Sequence, residues 1–145
     1  MAGYFRKLNG YVYEGSYTAG EELENGVFAE ISSGVVKKAT AAGDAVFRVA
    51  EVTTMWGKNA VVLDVVDSGT KEQYMVENDF DVAGMSEYDT ADQKVKAGEY
   101  VKMRRPTTGD QLILTGSGDA FKALKVGDQV TSAVGGSIAK VTSGT

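Results

Sequence analysis

Short runs of strand-forming residues, each ended by glycine or aspartate, recur along this chain. The runs are rich in Val, Tyr, Phe and Thr and return at intervals of roughly 8–12 residues, which is typical of all-β domains. The chain has 18 glycines and one proline, which indicates many turns within a folded domain rather than a disordered tail. The predicted strands are Tyr11–Tyr17, Val27–Ile31, Val35–Thr40, Ala45–Val52, Ala60–Val66, Lys71–Glu77, Tyr100–Arg104, Gln111–Thr115, Asp128–Ser132 and Ile138–Val141.

Two of these runs also predict burial. Ala60–Val66 is apolar except for Asp64, so we expect a strand that is buried on both faces. Tyr100–Arg104 alternates instead, with Val101 and Met103 on one face. That strand should be half exposed.

Glycine marks the predicted turns. Ser32–Gly34, Asp67–Gly69 and Gly135–Gly136 are predicted as hairpin turns, because they place glycine or short polar residues where positive φ is needed. A pattern of glycine, acid, any residue and an aliphatic residue predicts a tight turn in which the carboxylate bonds nearby amides. It occurs at Gly20–Leu23, Gly43–Val46, Gly98–Val101, Gly109–Leu112 and Gly127–Val130.

Together these patterns predict a mostly β protein with a single barrel- or sandwich-like domain of about eight to ten strands. One short helix is predicted at Ala120–Leu124, where Asp119 can cap the first turn. The acidic segment Asn78–Asp92 is predicted to be a long loop. We expect residues 1–20 to form an N-terminal aromatic arm or a first strand, and residues 21–145 to form the β-rich domain.

Composition excludes several classes of function. The 145 residues include no cysteine and no histidine, so thiolate chemistry, the commonest general base and the commonest zinc ligand are missing. The net charge of −5 should repel phosphate backbones, so we expect no nucleic-acid partner. No run is long and apolar enough to cross a bilayer, and the first residues lack the apolar block of a signal peptide. We therefore expect a protein made in the cytoplasm, without a membrane partner or cofactor.

Two groups of carboxylates resemble functional motifs, one catalytic and one calcium-binding, and both motifs are incomplete. Asp67–Thr70 and Asp89–Ala91 resemble the two halves of an aspartic-protease motif, but the sequence between them is too short for two lobes. Asp79, Asp81 and Gly84 resemble the start of a calcium loop that lacks its closing bidentate carboxylate. We therefore expect no enzyme activity and no metal site, although a weak surface cation site or an electrostatic docking loop remain alternatives.

Aromatic and basic residues are the candidates for partner binding. Aromatics crowd the first 17 residues, either as a first strand of the domain or as a docking arm with rigid anchors. Trp56 presents the same choice between core and interface, and the basic strand after the acidic loop offers opposite charge to a partner or a second copy. The candidate partner-binding residues are Tyr4, Phe5, Arg6, Tyr11, Tyr13, Trp56, Arg104 and Arg105.

The sequence as a whole resembles small structural proteins of tailed bacteriophages. The resemblance rests on YFRKLNGYVYEGSYTAGEELENGVFAEI, RVAEVTTMWGKNAVVLDVV, YMVENDFDV, GDQLILTGSGDAFKALKVGDQV and SAVGGSIAKV, which are distributed along nearly the whole chain. Several proteins of that group are head decoration or cement proteins, which are small, β-rich and non-enzymatic, and many use a terminal arm.

The resemblance implies a decoration protein that binds the outer surface of the major capsid lattice and stabilises the head. It implies the major capsid protein as partner, a place on the virion, and possible self-association, for example as a trimer. A tail, head-completion or host-adhesion protein is the alternative within the same group.

Overall fold

The computed structural model describes residues 2–7, 13–55, 58–77, 94–116, 119–133 and 135–141. For residues 2–7, 13–14, 55, 58, 116 and 119–120 it describes the main chain only. The predicted acidic loop Asn78–Asp92 lies outside the described residues, as do Tyr11 and Trp56.

The described residues form fourteen strands and one short helix. In chain order the elements are β1 (Ala2–Lys7), β2 (Tyr13–Glu14), β3 (Thr18–Ala19), β4 (Leu23–Glu24), β5 (Phe28–Ser32), β6 (Val35–Lys38), β7 (Val46–Met55), β8 (Lys58–Asp67), β9 (Tyr74–Val76), β10 (Lys94–Val95), β11 (Met103–Arg104), β12 (Gln111–Gly116), α1 (Asp119–Lys122), β13 (Gln129–Ser132) and β14 (Ile138–Lys140).

The strands make two six-stranded sheets and a two-stranded ribbon. The first sheet has the order β1-β12-β8-β7-β13-β14, the second has the order β2-β11-β9-β5-β6-β3, and β10 pairs with β4. Among the described pairings only β3 with β6 is parallel. The sheets curl into a half-barrel, so the prediction of a mostly β, barrel- or sandwich-like domain is confirmed.

The main hydrophobic core lies between the two six-stranded sheets. Val61, Leu63 and Val65, alternate residues of β8, are buried in it. Phe28 from β5 stacks on Phe47 from β7 with the ring centroids 5.6 Å apart. Because β5 and β7 belong to different sheets, this aromatic pair joins the two sheets face to face.

The opposite face of β8 is also largely buried. Ala60 and Val62 lie within it, whereas Val66 near the end of the strand is 42% exposed. Asp64, the one polar residue in the run, accepts a hydrogen bond from Nε2 of Gln111 at 2.9 Å. The Asp64 side chain is 38% exposed, so this face of β8 begins to reach the surface at Asp64. The prediction of a strand buried on both faces is confirmed from Ala60 to Leu63. Beyond them Val65 is buried, but Asp64 and Val66 on the opposite face are partly exposed.

A second core lies within the second sheet and the short strands beside it. Val101 and Met103 are fully buried there, while Tyr100 and Lys102 are exposed and Arg104 is half-buried. The predicted alternation along this segment is therefore confirmed. The other buried members of this core are Ala19, Leu23, Val27, Ala29, Val36, Val76 and Val95.

Two of the three predicted hairpin turns are confirmed. Ser32–Gly34 joins β5 to β6, and Gly135–Gly136 lies between β13 and β14, with positive φ at both glycines of the latter. The prediction for Asp67–Gly69 is wrong, because the strand after this turn pairs with β5 and β11 in the other sheet. The turn carries the chain between sheets, although Gly69 does have positive φ.

The predicted short helix is present as α1, which begins at Asp119 and ends at Lys122. Phe121 and Leu124 are both buried in the main core, in agreement with the predicted shared face. Three strands were not predicted from the sequence, namely β3, β4 and β10, whereas β1 corresponds to the first-strand alternative for the N-terminal segment. Of the predicted strand Tyr11–Tyr17, the described residues include only Tyr13–Glu14 as a strand.

Candidate functional site

The N-terminal aromatic segment includes an edge strand of the first sheet. β1 runs antiparallel to β12, with Tyr4 opposite Ile113 and Phe5 opposite Leu112. The register shifts between Phe5 and Lys7, so Arg6 lies at a bulge. The main chain of Ala2–Lys7 thus pairs with the domain itself. Of the two alternatives for this segment, an arm or a first strand, this pairing corresponds to the first strand.

The other aromatic candidates are only partly described. Tyr13 lies in β2, where its main chain pairs with Arg104 of β11. Trp56 belongs to the two-residue connection between β7 and β8, whose last described pair is Met55 with Lys58. Tyr11 and Trp56 themselves lie outside the described residues.

Arg104 and Arg105 bind groups of their own domain. Nε of Arg104 lies 3.3 Å from Oε1 of Glu77, and both side chains are 22% exposed. Nη2 of Arg105 donates to the carbonyl oxygen of Gly69 at 3.0 Å. Both guanidinium groups are half-buried and link β11 and the residue after it to other parts of the domain. Arg104 and Arg105, predicted from the sequence as candidate partner-binding residues, therefore also have a structural role in the domain.

A cluster of hydrogen bonds, which we call the polar junction, connects the two segments that cross between the sheets. Its centre is the Asp44 carboxylate, which accepts from Oγ1 of Thr70 and from the main-chain N–H groups of Thr70 and Lys71, the latter two at 3.0 Å. These bonds, that from the Thr70 hydroxyl first, hold the pKa of Asp44 well below its usual range. The carboxylate at the start of β7 thereby fixes the chain that leaves β8.

Buried polar side chains extend the polar junction toward β13. Oγ of Ser132 donates to Oε1 of Gln73, and Nε2 of Gln73 donates to the carbonyl oxygen of Ala41 at 2.9 Å. Both Ser132 and Gln73 are buried. Gly43 donates its N–H to the carbonyl oxygen of Ser132 at 3.0 Å, which completes the link between the crossing segment and β13.

The glycine-acid pattern predicted a tight turn, and Lys125–Asp128 shows its geometry. Gly127 has φ of 94°, and the N–H of Asp128 donates to the carbonyl oxygen of Lys125 at 3.0 Å. The Asp128 carboxylate accepts from the N–H of Lys125 at 2.9 Å, and this bond holds the pKa of Asp128 below its ordinary value. Gly127 and Asp128 also exchange main-chain bonds with Val49, so the turn is fastened to β7.

The same turn recurs at Lys96–Glu99 and Thr107–Asp110. In each, the acid bonds the amide three residues before it, the glycine has positive φ, and the turn exchanges two main-chain bonds with one residue of another strand. The prediction is confirmed at these three places. It is wrong at Gly20 and Gly43, which are not among the glycines of positive φ and whose acids bond amides far away in sequence.

The structure describes only part of the protease-like motif and none of the acids of the calcium-loop motif. Oδ1 of Asp67 accepts from the N–H of Gly69 at 2.9 Å, which is the geometry of an ordinary polar turn. Asp89 lies outside the described residues, as do the acids of the incomplete calcium loop. Within the described part of the chain, no group of three acidic side chains is placed to hold a metal ion.

The described residues line a polar cleft and an apolar groove at the surface. A cleft of about 310 Å³ is lined by the carboxylates of Glu22 and Glu24, by Lys38 and by the Gly135–Gly136 turn. A smaller groove of about 140 Å³ lies between the end of α1 and the edge hairpin of β13 and β14, and its lining is mostly apolar. The sequence patterns pointed to neither cavity, because each joins residues that are far apart in the chain.

The chain matches no known protein family model, no curated protein and no solved structure. Among the described residues, no helix has the length and apolar character needed to cross a membrane.

Proposed function

We propose that this protein is a capsid decoration protein of a tailed bacteriophage, which binds the outer surface of the major capsid lattice and stabilises the head. The proposal is carried by the sequence resemblance, whose segments are distributed from Tyr4 to Val141. A mostly β domain with two apolar cores is compatible with that class of protein.

The geometry of the polar groups supports a structural role over a chemical one. The carboxylates of Asp44, Asp67 and Asp128 accept hydrogen bonds from turns of their own domain, and Arg104 and Arg105 bind Glu77 and a main-chain carbonyl. These groups hold loops and strands in place. The large apolar side chains that are exposed in the described part of the domain are those of Val52, Val66, Tyr100 and Val126.

Stabilisation of a head by such a protein follows from mass action. A protein that binds the assembled lattice and not the free subunit lowers the free energy of the lattice, by RT ln(1 + [L]/Kd) for each site. Many copies with modest individual affinity then sum to a large effect. High affinity at any one contact is therefore unnecessary.

The candidate contact surfaces are the N-terminal strand and the far end of the β7–β8 hairpin. In the described residues β13 pairs with β7 only at Phe47 and Arg48, so the far half of the hairpin has a strand neighbour on one side only. Val52 is 47% exposed there, and the hairpin leads to Trp56. An exposed aliphatic residue on a strand that leads to a tryptophan is suited to contact another protein.

The copy number in the particle that contains this chain tests the proposal. Quantitative mass spectrometry of purified particles should give a ratio of this chain to the major capsid protein that matches a fixed number per capsomer. A tail, head-completion or host-adhesion protein would be present in far fewer copies. A ratio that corresponds to a single vertex or to the tail would overturn the decoration proposal in favour of that alternative.

A further inference from the structure

Among the described strands β14 forms one edge of the first sheet, and β13 is its one neighbour. The N–H of Val141 donates to the carbonyl oxygen of Gln129 at 2.8 Å, and the N–H of Ala133 donates to that of Ser137 at 2.8 Å. Because hydrogen-bonded pairs alternate in an antiparallel ladder, Ile138 and Lys140 turn their N–H and C=O groups away from β13. Within the described chain no strand pairs with that outer side, and such a row of groups is a template for an added strand.

The apolar groove lies directly beside this edge. It is lined by Ala123 and Leu124 after α1, by Val130 of β13, and by Ile138, Ala139 and Lys140 of β14. Val130 and Lys140 are directly opposite each other, so their side chains share the core face of the hairpin. A strand added at the outer side of β14 would direct every second side chain toward the same face. One apolar side chain of that strand would then enter the groove.

The charges around the groove favour an acidic occupant. Lys122 and Lys125 are exposed on the segment that forms one wall, and the Lys140 side chain on the other wall is 60% exposed. Nζ of Lys140 lies 3.5 Å from Oδ1 of Asp128, the one carboxylate among the described side chains of residues 121–141. With Asp119 at the start of α1, residues 119–141 contain three lysines and two aspartates, which leaves a small excess of positive charge. That excess favours an incoming strand with carboxylates and disfavours the β14 edge of a second copy, which carries the same lysine.

We propose that the outer edge of β14 and this groove bind an extended acidic segment of a partner protein by strand addition. Main-chain bonds to Ile138 and Lys140 hold the segment, one aliphatic side chain enters the groove, and flanking carboxylates face the lysines. In strand addition generally, main-chain hydrogen bonds provide affinity, and pockets for every second side chain provide specificity. The inference does not depend on the identity of the partner, so it can be tested without a capsid.

The first test uses a designed probe on the full-length chain. The probe is the peptide acetyl-Ser-Glu-Thr-Leu-Thr-Glu-Ser-amide, which places leucine between two glutamates on one face of an extended strand. It is titrated into ¹⁵N-labelled protein and followed by amide chemical shifts. We expect saturable shifts at Ile138 and Lys140 and at the groove residues Ala123 and Leu124. No shift at millimolar peptide, or shifts confined to other surfaces, would overturn the proposal.

A matched pair of variants isolates the main-chain contact. Lys140→Thr removes the charge but keeps the N–H, whereas Lys140→Pro removes the charge and the outward N–H together. Proline is tolerated on an edge strand where the N–H faces solvent, so the pairing of β14 with β13 should persist. We expect the proline variant to bind the probe at least tenfold more weakly than the threonine variant. Equal affinity of the two variants would contradict strand addition.

Two modified peptides repeat the test without changing the protein. N-methylation of the probe's leucine removes one main-chain donor, and replacement of both glutamates by lysine reverses the charge. Each change should weaken binding at least tenfold. A lysine peptide that binds as tightly as the acidic probe would contradict the charge requirement, and an N-methylated peptide of unchanged affinity would contradict the main-chain contact. These outcomes are separate from the particle copy number, so the two proposals can fail independently.

Discussion

Asp44 accepts a hydrogen bond from the main-chain N–H of Thr70, at 3.0 Å to each carboxylate oxygen, across 26 residues of sequence. Asp44 lies just before β7, and Thr70 lies just after β8. The contact therefore joins the two segments in which the chain passes from one sheet to the other. Gly69 packs against the same place, since an added Cβ would lie 2.5 Å from Oδ1 of Asp44. The polar junction therefore fixes how the two sheets are connected.

The substitution Asp44→Asn should destabilise the fold in a pH-dependent way. The pKa of the Asp44 carboxyl is lower in the folded state than in the unfolded state. Its contribution to the free energy of unfolding is therefore fully present above about pH 3.9, the ordinary aspartate pKa. That contribution is lost as the pH falls through the lower folded-state value. We expect the variant to have a lower urea midpoint than the native chain at pH 7, and the difference to shrink below about pH 3.9.

Asp67→Asn is the matched control for this prediction. Asp67 is exposed and accepts a single bond from the N–H of Gly69, which an asparagine oxygen at the same position can also accept. Its urea midpoint should stay close to that of the native chain. A difference between Asp44→Asn and the native chain that does not change with pH would show that the carboxylate charge is not the stabilising group.

Leu63→Ala tests the placement of the main core. Leu63 is fully buried between the sheets, so its truncation should lower the free energy of unfolding by about 2–5 kcal/mol through lost transfer and a residual cavity. Val66→Ala, on the same strand but 42% exposed, should cost well under half of that. Urea denaturation of both variants checks the prediction, and equal losses would place the core elsewhere.

Local patterns in the sequence predicted much of the framework. The apolar run of β8 and the alternation of Val101 and Met103 each specify which faces are buried, because that information is contained within a few consecutive residues. The Gly135–Gly136 turn was predictable for the same reason. These elements depend on their own residues and little on distant partners.

Long-range contacts account for what the sequence did not predict. Asp67–Gly69 has the residues of a hairpin turn, but the strand that follows pairs with Phe28 and Ala29, and only the assembled second sheet determines that pairing. The buried bond between Gln73 and Ser132 joins residues 59 apart, and neither residue belongs to a recognisable motif. The apolar groove beside β14 likewise forms only after α1 and the last hairpin come together.

Two glycine variants should separate backbone strain from steric overlap. Gly127 and Gly136 both have positive φ, but an added Cβ meets nothing at Gly127, whereas at Gly136 it would lie 2.6 Å from the carbonyl oxygen of Phe28. Gly127→Ala should therefore cost about 1–2 kcal/mol, the strain of a left-handed residue alone. Gly136→Ala should cost more, and thermal unfolding of both variants gives the comparison. A smaller loss at Gly136 would contradict the close packing of this turn on β5.

Deletion of Met1–Asn9 tests whether the N-terminal segment serves the domain or a neighbour. Ala2–Lys7 pairs along β12, so its removal exposes a sheet edge, and we expect the free energy of unfolding to fall by about 2 kcal/mol or more. Urea denaturation of the free protein measures this loss. Unchanged stability together with at least tenfold weaker attachment to heads would instead identify the segment as a docking arm.

Binding of the purified chain to phage heads that lack it, viewed by cryo-electron microscopy, tests the proposed function most directly. A decoration protein should bind to saturation, appear on the outer surface of every capsomer, and raise the temperature at which the heads disrupt. The account predicts all three results for heads of the phage that encodes this chain. Absence of the chain from the capsid surface at saturating concentration, or density confined to one vertex or to the tail, would contradict it.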